Sequence, residues 1–239
     1  MIWALLVIPF LIALLVIYAI NRSMLGQEAA GRNLLGGLFL LPLFALMVGI
    51  LWLPEPWKNY LSISIFTIIS VLFWMQILTW QRRKRQAGYL LWHLGWPLTH
   101  RYMLLASTIF FIMAILQTIV FIALANQGFS RSSYSIEYYI SQLILYWSGA
   151  FYCLWTGFSK LELREKGIYF KFGLVKWQQI ASYKWEGEKG NILTVWLKQS
   201  IPLLQTRSWS IPLGLKNAVE RVISQNMSNQ TKKNQGYPY

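Results

Sequence analysis

Five long apolar runs, at 1–20, 34–53, 61–80, 103–125 and 138–158, constrain this chain more than anything else in it. Each is close to the ~20 residues a helix needs to cross a hydrocarbon core. No Asp, Glu, Lys, Arg or His falls in the middle of any run. The first holds thirteen Leu, Ile, Val or Phe residues. At roughly −0.3 to −0.6 kcal/mol each near a helix centre, they favour insertion by about −4 to −8 kcal/mol; Pro9 returns part of this. No basic residue precedes that run, and it is longer than the apolar region of a secretory leader, so it is expected to be a retained first span.

The loops between the runs set an expected orientation, because Lys and Arg accumulate on the cytoplasmic side. Arg22 and Arg32 lie in 21–33; Arg82, Arg83, Lys84, Arg85 and Arg101 lie in 81–102; thirteen more Lys and Arg follow residue 158. The intervening loops carry only Lys58 and Arg131. Alternate compartments therefore hold twenty and two basic residues. Five spans with the N-terminus outside place the twenty in the cytoplasm. The net charge of +14 then reads as contact with anionic lipid headgroups, at about 1 kcal/mol per cation near the surface. No basic stripe interleaved with aromatic residues points to nucleic acid.

Trp3, Trp52, Trp57, Tyr60, Trp80, Tyr102, Tyr138 and Tyr139 stand at the ends of the runs, where amphipathic rings prefer to anchor. The segment 81–102 opens with four cations and continues with Tyr89, Leu90, Leu91, Trp92, Leu94 and Trp96. It is expected to form an interfacial half-helix ending near Pro97, or a docking surface for a partner or for the C-terminal domain. His93 and His100 fall in it seven residues apart, but no Cys, Asp or nearby Glu completes a metal shell. Gln117, mid-run, needs a polar partner on another helix, and Gly149 permits a close helix contact. Cys153 is the single cysteine and reads as a small apolar residue.

After 158 the period of the pattern drops to two. Leu161 and Leu163 alternate with polar neighbours, as do Ile168, Phe170 and Phe172. Glu165-Lys166-Gly167 is a turn, and Gly187-Glu188-Lys189-Gly190-Asn191 is a hairpin loop. Strands are predicted over 192–198 and 207–211. Trp177, Ile180, Tyr183 and Trp185 are expected to fill a small core. Leu215, Val219, Val222 and Ile223 then fall at i, i+4, i+7 and i+8, one face of a helix of about three turns. Residues 226–239 are polar and are expected to be a disordered tail.

Particular residues sharpen this plan: Leu161-x-Leu163-x-Glu165-Lys166-Gly167-Ile168, then Trp177-x-x-Ile180-x-x-Tyr183-x-Trp185, then Ser210-Ile211-Pro212 before the helix. The pattern resembles the C-terminal domain of bacterial multi-span membrane proteins, common in cyanobacteria, that carry a bacterial PH-like module and have no established activity. The resemblance covers the 159–225 region. It implies a bacterial inner membrane or a cyanobacterial thylakoid membrane. The expected fold class is thus an α-helical polytopic membrane protein with five transmembrane helices and a small C-terminal β-rich PH-like domain ending in one helix. That domain is expected to be cytoplasmic.

The glutamates Glu162, Glu165, Glu186, Glu188 and Glu220 sit among cations and read as exposed charge. The pieces of acid–base, nucleophilic or metal chemistry are missing from the sequence, so no catalytic residue, metal or cofactor is expected. The expected role is a non-catalytic scaffold, or an assembly or regulatory factor, with a membrane-protein partner. The alternative is a lipid-binding or transport-related protein. The residues expected to touch lipid or partner are Arg82, Arg83, Lys84, Arg85, Trp92, Lys171, Lys176 and Lys184.

Overall fold

The computed structural model describes residues 14–16, 18–19, 21–22, 30–31, 49, 53–55, 57–96, 99–129, 134–171, 173–187, 189–198 and 205–235, the side chains of 99 and 228–235 excepted. The chain divides into two compact units. The described part of one is the helical region within 42–82 and 99–159; that of the other is mainly 83–96 and 160–235.

The helical unit is built on α1 (Trp57–Leu78), α3 (Thr99–Asn126) and α4 (Ile136–Gly157), with α4 packed against both others. Between α1 and α3 come the short helix α2 (Trp80–Gln86) and the strand β1 (Leu90–Gly95). Among the described residues, two helices are long and apolar enough to cross a membrane, Trp57–Leu78 and His100–Asn126. This corrects the expected five-helix fold class. The runs 1–20 and 34–53 lie almost wholly outside the described residues. The run 138–158 does form a helix, α4, but Gln142, Ser141, Ser148, Thr156 and several Tyr and Trp residues dilute its apolar character. The architecture is a mixed α/β fold with a β-rich C-terminal part.

The β-rich unit contains two antiparallel sheets. Strands β2 (Leu161–Arg164), β3 (Gly167–Phe170) and β4 (Gly173–Lys176) follow one another, and β1 pairs with β2 to give the order β1-β2-β3-β4. Strands β5 (Ile180–Glu186), β6 (Ile192–Leu197) and β7 (Thr206–Ser210) form the second sheet in sequence order. The helix α5 (Lys216–Gln235) closes the unit. Leu94, Leu161, Leu163, Ile168, Trp177, Ile180, Leu193, Val195, Trp209, Val219 and Ile223 form one core, with Tyr183, Trp185, Leu215 and Val222 packed on it. The aromatic positions and the helix face expected from the sequence are therefore in the core or packed against it. The helix itself continues to Gln235, ten residues into the stretch expected to be a disordered tail.

Leu90–Gly95 is a strand, not the interfacial half-helix its cations and apolar residues suggest. Leu94 is buried and Leu91 packs against the core, so the segment is recruited by the sheet that needs a fourth strand. Its register slips between Leu90 and Trp92 and again between His93 and Gly95.

Candidate functional site

The most concentrated chemistry in the β-rich unit lies on the polar face of the four-stranded sheet. The β2 sequence alternates: Leu161 and Leu163 enter the core, so Glu162 and Arg164 point to the opposite face. The register places His93 opposite Glu162 on β1 and Tyr169 opposite it on β3. Glu162 is only 3% exposed. Its Oε1 accepts from Lys84 Nζ at 2.7 Å, and its Oε2 accepts from Arg164 Nε at 2.8 Å, with Nη2 at 2.7 Å. His93 Nδ1 stands 3.8 Å from Oε1, with its ring half in solvent.

The guanidinium of Arg164 does further bridging. Its Nη1 donates to the carbonyl of Gly88 at 2.7 Å and to that of Lys84 at 3.2 Å. Backbone bonds run alongside: Glu165 N–H donates to Tyr89 O and Lys166 N–H to Ala87 O. Gly88 has φ +83°, and a Cβ there would lie 2.5 Å from the Glu165 carboxylate. Only glycine makes that turn so close to the sheet. Residues 84–90 are therefore fastened to β2 through charge, backbone and turn geometry together. Trp177 Nε1 completes the corner by donating to the carbonyls of Glu165 at 2.9 Å and Arg164 at 3.2 Å.

Burial alone pushes the Glu162 carboxyl up, but the hydrogen bonds and charges of Lys84 and Arg164 outweigh it and hold the group below the ordinary carboxylate range. It is ionised at neutral pH with both oxygens engaged, so the arrangement acts as an electrostatic tie. Burial pushes the Tyr169 hydroxyl up to about 12; Glu162 adds to this, and Arg83 and Arg164 oppose it. Among the described residues no group of three His, Cys, Asp or Glu side chains is placed to hold a metal ion.

The sequence reading put Glu162 among exposed charges; the structure buries it. The missed signal is the Leu-Glu-Leu-Arg alternation, which places one acid and one base on the same face two residues apart. Of the residues expected to touch lipid or partner, Arg82, Arg83, Lys84 and Arg85 share α2, where consecutive side chains diverge. Lys84 turns to Glu162, Arg83 is half-buried, and Arg82 and Arg85 are exposed. Trp92 is exposed on β1. Lys171 lies over the Phe170 ring at 5.4 Å, Lys176 is exposed at the end of β4, and Lys184 is exposed on β5 of the other sheet.

The helical unit has its own polar interior. Gln117 Nε2 donates to Gln142 Oε1 at 2.7 Å between α3 and α4, the interhelical bond its position demanded. Ser107 Oγ donates to Ala150 O at 3.0 Å, and Trp74 Nε1 to Ser148 Oγ at 3.0 Å. A Cβ on Gly149 would lie 2.9 Å from the Phe110 ring, so the α3–α4 contact needs that glycine. Phe73 and Tyr152 stack at 4.5 Å between α1 and α4. The buried side of α4 is thus Ser141, Ser148, Gly149, Ala150, Cys153, Thr156 and Gly157, while Ile136, Ile140, Ile144, Phe151 and Trp155 are exposed.

Comparison with known proteins gives one match: residues 159–228 fit the profile of a family described as a domain of unknown function (DUF5673). That match carries neither a PH-like nor a cyanobacterial assignment. No curated protein and no solved structure is similar to the chain. The matched segment begins just before β2 and so leaves out β1, the strand that pairs with it.

Proposed function

We propose that this chain is a non-catalytic integral membrane protein, a scaffold or an assembly or regulatory factor, that presents its β-rich unit at the cytoplasmic membrane surface. The observation that carries the reading is the inside-out surface of the helical unit. Only 6% of the apolar stretch of α1 or of α3 is buried, whereas the core helix of a soluble protein is mostly buried. On α4 the small and polar residues face inward and the large apolar ones outward. Water would reverse that arrangement. Lipid favours it, because helices in a bilayer associate through small residues and hydrogen bonds while their apolar faces meet acyl chains.

Strand pairing supports the topology independently. β1 and β2 exchange backbone hydrogen bonds, so residues 95 and 161 lie on one side of any bilayer. The chain between them then crosses an even number of times. α3 is apolar enough to cross alone, and α4 supplies the return despite its polar inner face. The cations Arg82, Arg83, Lys84, Arg85 and Arg101 on one side of this hairpin, against Arg131 on the other, favour a cytoplasmic β-rich unit.

Gentle solubilisation from the native membrane tests the scaffold role. A complex of fixed stoichiometry is expected. A bare monomer under several mild detergents refutes it. Single cysteines at Ser132 and Lys189, in a Cys153→Ala background, test the topology: an impermeant thiol reagent should reach them from opposite sides, and labelling of both from one side refutes the hairpin.

A further inference from the structure

We infer that β1 is the edge by which the β-rich unit rests on the membrane, and that its ligand is the anionic headgroup layer. The inference rests on the membrane placement proposed above. Tyr89, Leu90, Trp92 and Trp96 are all exposed along or beside this one strand, with Trp96 at 55%. Arg85 is exposed just before it. Lys160 Nζ lies 5.2 Å from the centre of the Trp96 ring. Exposed Trp and Tyr rings interleaved with cations are the composition that prefers the headgroup layer, where the rings reach the acyl boundary and the cations meet phosphate.

The backbone agrees. β1 is the outermost strand of its sheet, with β2 as its neighbour among the described residues. An edge with no strand beside it among the described residues finds hydrogen-bond partners in the hydrated headgroup layer and not in the hydrocarbon core. A strand from another protein is the rival occupant of such an edge. The two register slips within six residues break the regular row of donors and acceptors that strand addition uses. Chain continuity also favours lipid. Trp96 precedes the first residue of α3, Thr99, by three positions, a reach of about 10 Å at most. A crossing α3 therefore keeps Trp96 near the surface through which the helix enters.

The test uses the full chain reconstituted in vesicles of phosphatidylcholine with phosphatidylglycerol. Single cysteines replace Trp92, Trp96, Lys184 or Ile112 in a Cys153→Ala background, and each carries an environment-sensitive fluorophore. Labels at 92 and 96 are expected to emit to the blue, to be quenched by headgroup-proximal nitroxide lipid, and to be several-fold less accessible to iodide than the label at 184. The label at 112, on the exposed face of α3, should report the acyl region. If 112 reports lipid while 92 and 96 are as open to iodide as 184, the inference fails and the membrane placement stands. If 112 is also open to iodide, both fail. Quenching at 92 and 96 that is unchanged when phosphatidylglycerol is omitted overturns the assignment of anionic lipid.

Discussion

Glu162→Gln is the sharpest perturbation of the β-rich unit. The change keeps the shape and removes the charge that Lys84 and Arg164 share. Glu162 and Arg164 are buried, whereas Lys84 is 29% exposed. Deleting one partner of a buried pair costs about 3–5 kcal/mol, and the partial exposure of Lys84 puts this case near the lower figure. A loss of about 3 kcal/mol is roughly two decades in opening equilibrium. The loss should be local, because the cluster ties 84–90 to β2. Hydrogen exchange read by mass spectrometry should show protection falling by that amount in peptides covering 90–95 and 161–164, with α3 and β5–β7 little changed. Acid should do the same to the wild type. The folded-state pKa of Glu162 lies below its unfolded value, so its contribution is complete above about pH 4.3 and fades as pH falls through the folded value. After correction for intrinsic exchange, β1 of the wild type should loosen in that window and the Gln variant should show no such step. Unchanged β1 protection in the variant, or equal loss throughout the chain, refutes the tie.

Three further variants probe the packing. A Cβ at Gly167 would lie 2.0 Å from the backbone oxygen of Val175, which no side-chain motion relieves; Gly167→Ala should cost about 3 kcal/mol or more and open the β3–β4 pair, read as lost exchange protection in 173–176. Gly149→Ala presses on the Phe110 ring and should lower helical-unit stability in detergent by about 1–3 kcal/mol, while Ala150→Gly, one residue on, serves as a propensity control. Gln117→Leu and Gln142→Leu each strand one half-buried amide, so the double variant should be less destabilised than the two singles summed, with a coupling of about 0.6–2 kcal/mol in a thermal-unfolding cycle.

The sequence exposes what is long, uniform in composition or periodic. The apolar runs at 61–80 and 103–125 stand out by length, the strands at 192–198 and 207–211 by local composition, and the face Leu215-Val219-Val222-Ile223 by its spacing, and the elements found match them. β1 has no such period. Leu91 and Leu94 turn to the core three residues apart because the register slips at each of them, and Trp92 and His93 are consecutive and both exposed. Nothing local distinguishes that pattern from an apolar turn of helix. Glu162 fails for another reason: whether a strand's polar face is wet depends on what lies over it, and here that is α2 and the turn at Gly88, some eighty residues earlier in the chain. Of the residues expected to make contacts, Lys84 is diverted into that internal tie, a pairing no single-segment reading contains.

α4 shows what the proposed membrane placement asks of a helix that falls outside the two apolar enough to cross by themselves. Mean hydropathy treats Ser141, Ser148, Gly149 and Thr156 as reasons against a membrane. In the folded unit all four are buried: Ser148 accepts from the Trp74 indole of α1, Gly149 lies against Phe110 of α3, and Ser141 and Thr156 donate to carbonyls one turn back in α4. A helix packed between two neighbours needs to show lipid only one stripe, and Ile136, Ile140, Ile144, Phe151 and Trp155 supply it. The β1–β2 ladder bears on the same proposal from outside the helix, since a pair of bonded strands cannot straddle a bilayer. The proposed placement of α4 therefore rests on the composition of its outward stripe and on the parity imposed by the sheet, not on an apolar average taken over the whole helix.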